Sequence, residues 1–412
     1  MSSINNPFAA FKSKNFKYFW LGQCISLIGT WLQNTALSWL ALTLTKSAFL
    51  VGLFNAVQFT PQLFLSLFAG AVADHFPKKK LLILTQSLLM FLAFLLSFLT
   101  WRKIISYPIL LAFGLFLGII NTFDMPIRQS FVIELAGHEL LFNAVALNSL
   151  NFNLARVIGP AIAGMLLKNV GMSICFLLNG LSFIAVLIGL FMIDVGLKPM
   201  SVKKKEKVFA DILEGLKYAR KNKIILQTIT LLLIMNVFVM NFNVLIPLYT
   251  KYVLHRDEAG YGFLLSSMGI GALIGAFFVA TTSKKKPTLK RLYFSLIFSS
   301  IIFVIIGINK NYHLSSILFV FAGFSAILFT TTANSTLQLS SSDEYRGRVM
   351  SLYTMIFAGT TPLGSLISGF FAQIFSVNGA FIACGIICLI FYIVYFLSIS
   401  NFKRSFSNEK IV

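Results

Sequence analysis

The stretch GAVADHFPKKK, Gly70–Lys80, breaks a chain that is apolar for about 20 residues on either side of it. It holds one carboxylate, Asp74, followed by His75, Pro77 and the three lysines Lys78, Lys79 and Lys80. Apolar runs of that length match a hydrocarbon core of about 30 Å. A short charged turn between two of them reads as a hairpin of membrane helices with its polar bend at the membrane surface. The chain as a whole agrees: 57% of its 412 residues are hydrophobic and 11% charged, with a mean hydropathy of +0.84. Soluble domains carry about 25% charged residues. The sequence therefore specifies an all-α integral membrane protein.

Twelve spans are expected, at 16–43, 48–73, 81–100, 105–124, 143–167, 172–193, 224–250, 259–282, 290–307, 312–334, 349–373 and 379–400. With the N-terminus inside, the inner segments hold 26 of the 34 Lys and Arg residues and the outer loops 7, the last being Arg156 within a span. Such a bias places both termini in the cytoplasm. The net charge of +21 is thus accounted for by topology and by attraction to anionic inner-leaflet lipid, with no nucleic-acid partner needed. The start lacks a short apolar region with a small-residue cleavage site, so span 1 reads as an uncleaved anchor. Cys24, Cys175, Cys384 and Cys388 all fall within spans and have no metal-ligand company, which suits apolar packing. No metal or cofactor is expected.

The longest polar stretch divides the spans six and six, giving an N-terminal bundle over 1–193, a basic linker over 194–223 and a C-terminal bundle over 224–412. In the linker Phe209, Ile212, Leu213, Leu216 and Ala219 share one helical face, the pattern of a helix lying at an interface. The halves echo each other at offsets of about 200 residues: GPAIAG at 159–164 with TPLGSLISG at 361–369, and GAVADHFPKKK with GAFFVATTSKKK, which lacks the acid. Two pseudo-symmetric bundles around a midplane site produce this pattern.

Asn and Gln are costly against lipid. Spans 3, 6, 9 and 12 hold only Gln86 and Asn179, whereas the other eight hold 17 such residues, so every third helix is expected to face lipid and the rest to surround a polar chamber. Candidate chamber residues are Asn34 on span 1, Asn55, Gln58 and Gln62 on span 2, Ser149, Asn153 and Arg156 on span 5, and Asn236 and Asn243 on span 7. Arg156 lies roughly 20 Å along its helix and is the one ionisable residue near the membrane centre. All 13 acids and all four histidines are placed in loops or at span ends. The mid-membrane field is then positive, favouring anionic or neutral molecules.

With these residues in hand, the chain resembles the major facilitator superfamily over nearly its whole length. Gly70, Asp74 and Lys78-Lys79-Lys80 match its loop 2–3 signature, with His75 where Arg or Lys is usual and Pro77 where Gly is usual. WLGQCISLIGTWLQNTALSWL in span 1, FDMPIRQSFV after span 4, LNSLNFNLARVIGPAIAG in span 5 and RGRVMSLY before span 11 resemble the branch of the enterobactin exporter and the macrolide efflux proteins. The resemblance implies a secondary exporter of a small siderophore-like or drug-like molecule, a monomer in a bacterial inner membrane, coupled by proton antiport. It further implies a cytoplasmic gate in which Asp74, helped by Lys78, grips Arg346 or Arg348. Asp124 and Arg128, four residues apart, are a candidate second brace on the same side. Gly70, Gly159, Pro160 and Gly164 are candidate helix-packing positions. Transport of a lipid-like anion such as a lysophospholipid, nutrient import, and a sensor or channel are the rival readings. An enzyme is disfavoured, since no nucleophile–base set or metal-ligand cluster occurs at membrane depth.

Overall fold

The computed structural model describes residues 8–194, 208–282 and 288–408; of residues 67, 74, 138, 208–213 and 396–408 it describes the backbone alone. It is all-helical. Among the described residues, eleven helical stretches are long and apolar enough to cross a membrane. The first long helix, α1 (Lys14–Thr45), is 32 residues but is not one of the eleven, because Gln23, Gln33, Asn34 and a scatter of hydroxyl residues dilute its apolar run.

Five spanning helices follow it in the first half: α2 (Ala48–His75), α3 (Lys78–Trp101), α4 (Tyr107–Gly137), α5 (Glu139–Asn169) and α6 (Met172–Met192). α4 and α5 form one continuous helical run broken only at Gly137, whose φ of 69° is open to glycine and costly for other residues. This corrects the expectation of a loop over 125–142. Asp124, Pro126 and Arg128 lie inside a helix, and Asp124 is buried at 3% exposure rather than standing at a span end.

The linker helix α7 (Val208–Lys221) leads into the second half. There α8 (Lys223–Phe238) and α9 (Phe242–Tyr252) are two pieces of one span, interrupted where Asn241 turns its amide onto the carbonyls of Asn236 and Val237. α10 (Glu258–Thr281), α11 (Leu289–Ile308) and α12 (Tyr312–Ser340) follow. α13 (Asp343–Gly359) and α14 (Thr361–Ile374) are again pieces of one span, restarted by Pro362, and α15 (Ser376–Asn408) is the last described helix.

α7 is held against the second half: Ala219 is buried among Leu337, Val349 and Leu352, and Tyr218 stacks on Tyr345 at 4.4 Å. Leu216 stays exposed, and the side chains of Phe209, Ile212 and Leu213 lie outside the described residues.

The halves meet along two seams, α2 against α14 and α5 against α10, and glycines set the spacing of both. A Cβ on Gly52 would meet the Ser365 carbonyl oxygen at 2.5 Å, and one on Gly369 the Ala48 carbonyl oxygen at 2.8 Å. In the other seam a Cβ on Gly164 would meet the Glu258 carbonyl oxygen at 2.8 Å, and one on Gly262 would collide with the Pro160 carbonyl oxygen. Gly159 in turn admits Trp31 of α1. Gly70 departs from the packing role expected of it: nothing lies within 4 Å of where its Cβ would be.

Both seams lie toward the end of the molecule that bears the turns at 46–47, 170–171 and 253–257, the end that the charge bias predicts to be outer. Further along the same helices the side chains are exposed: Phe64 and Phe68 on α2, Phe142 and Val145 on α5, Phe277 on α10.

Candidate functional site

The first half lines an open cavity of about 480 Å³, within the range that takes small molecules. Its wall combines aromatics (Trp31, Phe59, Phe152 and Phe183) with an amide-rich polar set: Gln23, Gln33, Asn34, Gln58, Gln62, Asn121, Gln129, Asn148 and Asn179. Asn34, Gln58 and Gln62 are therefore where the sequence pattern placed them. Asn55 is buried and donates to the Val51 carbonyl of its own helix, and Asn153 donates likewise to Ser149. Asn236 is buried in the second half and Asn243 is exposed; neither of these, nor Ser149, belongs to this wall.

The lipid-facing assignment of spans 3 and 6 fails at their two amides. Asn179 is 1% exposed, donates to Gln33 Oε1 at 2.8 Å and lines the cavity. Gln86 is fully buried and donates to Asp124 Oδ1 at 2.7 Å. A lone amide on an apolar helix is the sign that could have marked both, since it must find a polar partner.

Among the described residues of the wall, Asp124 and Arg128 are the ionisable ones. Arg128 forks onto Asp124 Oδ2 through Nε and Nη2, and its Nη1 donates to Gln23 of α1. Thr85 adds a 2.7 Å hydrogen bond to Asp124 Oδ1 beside that from Gln86. Three side chains from α1 and α3 thus converge on the carboxylate–guanidinium pair of α4.

Arg156 sits behind the wall. Its guanidinium lies 5.6 Å from the Trp31 ring centre and 5.5 Å from that of Phe152, and both rings face the cavity. The Arg156 carbonyl oxygen faces Gly269 of α10, so the residue stands at a crossing of the two halves.

At the predicted inner end Lys78 is 8% exposed and donates to Glu134 at 3.1 Å. Arg346 pairs with Asp343 at 2.7 Å, and Arg348 with Glu214 of the linker helix at 2.9 Å. Glu214 was not singled out from the sequence. The side chain of Asp74, the expected centre of this gate, lies outside the described residues.

The opposite end is closed by cross-half contacts. Trp39 Nε1 donates to Glu258 at 2.9 Å and stacks on Tyr261, while Lys251 lies over its ring. Ser47 donates to Gln373 at 3.1 Å, and Lys168 pairs with Asp257 at 2.8 Å. The hydrogen bond from Lys168 holds the Asp257 carboxyl below the usual carboxylate range. A depressed value means that the pair's contribution is complete above the ordinary carboxylate range and is lost as pH falls through the lowered value. Both side chains are about half exposed, so the effect is small. Asp257→Asn is expected to change the fraction of molecules closed at this end by less than about fivefold, the range of an exposed pair. A fluorescence-quenching distance across the 46–252 gap, followed against pH, checks this; a larger change would show the pair to be a main closure element.

Residues 5–409 match the transmembrane secretion effector family. The chain belongs to that family of major facilitator transporters. Among its relatives, the staphyloferrin A transporter of Staphylococcus aureus is 28% identical over 387 residues, covering 92% of this chain and 96% of that protein. The multidrug efflux pump Tap of Mycolicibacterium fortuitum is 24% identical, covering 89% and 91%. Macrolide efflux protein A of Streptococcus pyogenes is 22% identical, covering 91% and 94%. A solved structure of a bacterial homologue of the human lysosomal transporter Spinster, inward-facing and unoccupied, superposes with a TM-score of 0.74 at 12% identity, over 93% of this chain and 96% of that one. A POT family transporter in complex with 5-aminolevulinic acid gives the same TM-score, identity and coverage. The protein is a multi-pass membrane transporter of the major facilitator type, and not an enzyme.

Proposed function

We propose that this transporter exports a small amphipathic molecule, siderophore-like or drug-like and anionic or neutral, across a bacterial inner membrane by alternating access. In this reading twelve spans form two six-helix bundles, 1–193 and 224–412, joined by the linker 194–223, with both termini cytoplasmic. The protein works as a monomer, surrounded by membrane lipid, with protons as coupling ion. The observation that carries the reading is an amide-rich cavity on one side of a tight double seam. With the seams outside, the conformation is the one that loads cargo from the cytoplasm. The siderophore and drug relatives support the direction and the cargo class. Arg128 in the wall and Arg156 behind it support the sign of the cargo.

In the outward-open half of the cycle the inner end must close, and the Asp74–Arg346/Arg348 gate is proposed for that state. The test is energised transport into inside-out vesicles of a panel of carboxylate siderophores, catecholates and macrolides. At least one is expected to accumulate, and Arg156→Ala is expected to weaken an anionic cargo about tenfold or more while sparing a neutral one. A panel that never accumulates above vesicles lacking the protein would sink the export reading. Equal loss of anionic and neutral cargo would sink the role of Arg156.

A further inference from the structure

The Asp124–Arg128 pair sits in an unusual hydrogen-bonding balance. Asp124 Oδ1 receives Thr85 and Gln86, and Oδ2 receives the Arg128 fork, so an ionised carboxylate is fully served. Two buried amide atoms beside it are not served: Gln23 Nε2 and Gln86 Oε1 have no partner. Their orientations are set by the pair. Arg128 donates to Gln23 and so turns its oxygen inward, leaving the NH₂ group spare; Gln86 donates to Asp124 and so leaves its carbonyl spare. Unserved buried polar atoms are costly, and a native site that keeps two of them calls for a reason.

We infer that a carboxylate of the cargo displaces Asp124 from Arg128 and that Asp124 then takes a proton and donates a hydrogen bond through it to Gln86 Oε1. The inference rests on the export reading above and names its cargo chemistry. An incoming carboxylate meets the same planar fork that Asp124 occupies now, with Gln23 Nε2 as an additional donor. Asp124 is then left buried without its counter-charge and is relieved by a proton from the aqueous phase. A half-turn of the Gln86 amide presents its spare oxygen to the new O–H, and Thr85 remains beside it. The O–H bond formed on Asp124 is matched by the one broken in the hydronium ion that gives up the proton, and no other covalent bond changes. Site charge is zero before, with Asp⁻ and Arg⁺, and zero after, with Arg⁺, a bound carboxylate and neutral Asp124.

Among the described residues the surroundings add no competing charge. Toward this cavity α1 presents Gln23, Gln33 and Asn34, α2 presents Gln58 and Gln62, α5 presents Asn148 and α6 presents Asn179, while Thr85 and Gln86 of α3 bond Asp124 itself, all neutral. Arg128, on α4 itself, is the charged neighbour.

The sign has a consequence. Anion and proton bind together, so the coupling is opposite to the antiport expected from resemblance. A cargo with two or more carboxylates still leaves as a net anion, a movement that an inside-negative potential drives.

The test is infrared difference spectroscopy of the purified protein through a pH titration, with Asp124→Asn as the blank and citrate as the probe anion. A protonated-carboxyl band absent from the blank is expected, shifted toward the frequency of a weakly bonded acid in Gln86→Leu. Citrate is expected to raise its midpoint pH by one unit or more in the parent protein and to leave it unmoved in Arg128→Gln. No such band, a band indifferent to Gln86, or a midpoint that citrate does not move overturns the inference. Vesicle export that continues with pH-independent cargo affinity would overturn it too while leaving the export reading intact.

Discussion

Gly262→Val is expected to abolish export and to drive the transporter out of the conformation described here. A side chain at 262 meets backbone: the Pro160 carbonyl oxygen, and Gly164 Cα at 2.8 Å. Backbone inside two helices cannot yield by changing rotamer, so the helices themselves must part. Overpacking of this kind costs roughly 1–3 kcal/mol, and each 1.4 kcal/mol is tenfold in a population. The closed seam should therefore fall about tenfold to a hundredfold in occupancy. Each half keeps its own packing, so the protein should still fold, in contrast to Gly29→Val. There the obstacle is the Ser182 and Asn179 side chains within the first half, and lost yield is expected instead. Cross-linking of Ser47→Cys with Gln373→Cys, a pair bonded at 3.1 Å in the other seam, reads the result. Loss of that cross-link from a substitution in the α5–α10 seam would show the halves moving as rigid bodies. An unchanged cross-link with normal export would show that these seams do not part during transport.

The membrane class could be read because hydropathy and charge are long-range averages that no single contact overrides. The cavity was legible only in part. Gln58 and Gln62 were found because helical spacing brings them to one face together with Asn55, but spacing cannot say that Asn55 turns back onto Val51. Counting amides per span discarded Gln86 and Asn179 for being few, although isolation on an apolar helix is what forces each into a specific partnership. The hydropathy pattern ends span 4 at Asp124 and leaves Pro126 and Arg128 beyond it, yet the helix continues through them to Gly137. A proline can be carried within a membrane helix when neighbouring groups satisfy the freed carbonyl, so proline alone is a poor span boundary. The closed end was not foreseen at all: Trp39 and Glu258 are 219 residues apart, and nothing in the span-1 stretch that holds Trp39 points to Glu258.

Arg128→Ala should be among the most destabilising single changes in the first half, and its effect should be undone by a second substitution. The variant leaves the Asp124 carboxylate, 3% exposed, with Thr85 and Gln86 as its remaining donors. Removing one member of a buried ion pair typically costs about 3–5 kcal/mol, because the other charge stays desolvated. Adding Asp124→Asn removes that charge and keeps a polar group that can bond both neighbours, so most of the loss should be recovered. The expected order of thermal midpoints in detergent is parent, then Asp124→Asn/Arg128→Ala close behind it, then Arg128→Ala well below. A two-bundle protein need not unfold in one step, so the comparison is between midpoints rather than unfolding free energies. Acidity separates this account from simple loss of packing. If the stranded carboxylate is the cause, lowering the pH neutralises it, and Arg128→Ala should approach the parent as pH falls. If the lost guanidinium stem is the cause, the deficit should stay constant with pH and the double variant should melt no higher than Arg128→Ala. That second outcome would mean that Asp124 and Arg128 are neighbours by helical spacing alone and that the cavity contains no energetically coupled charge pair.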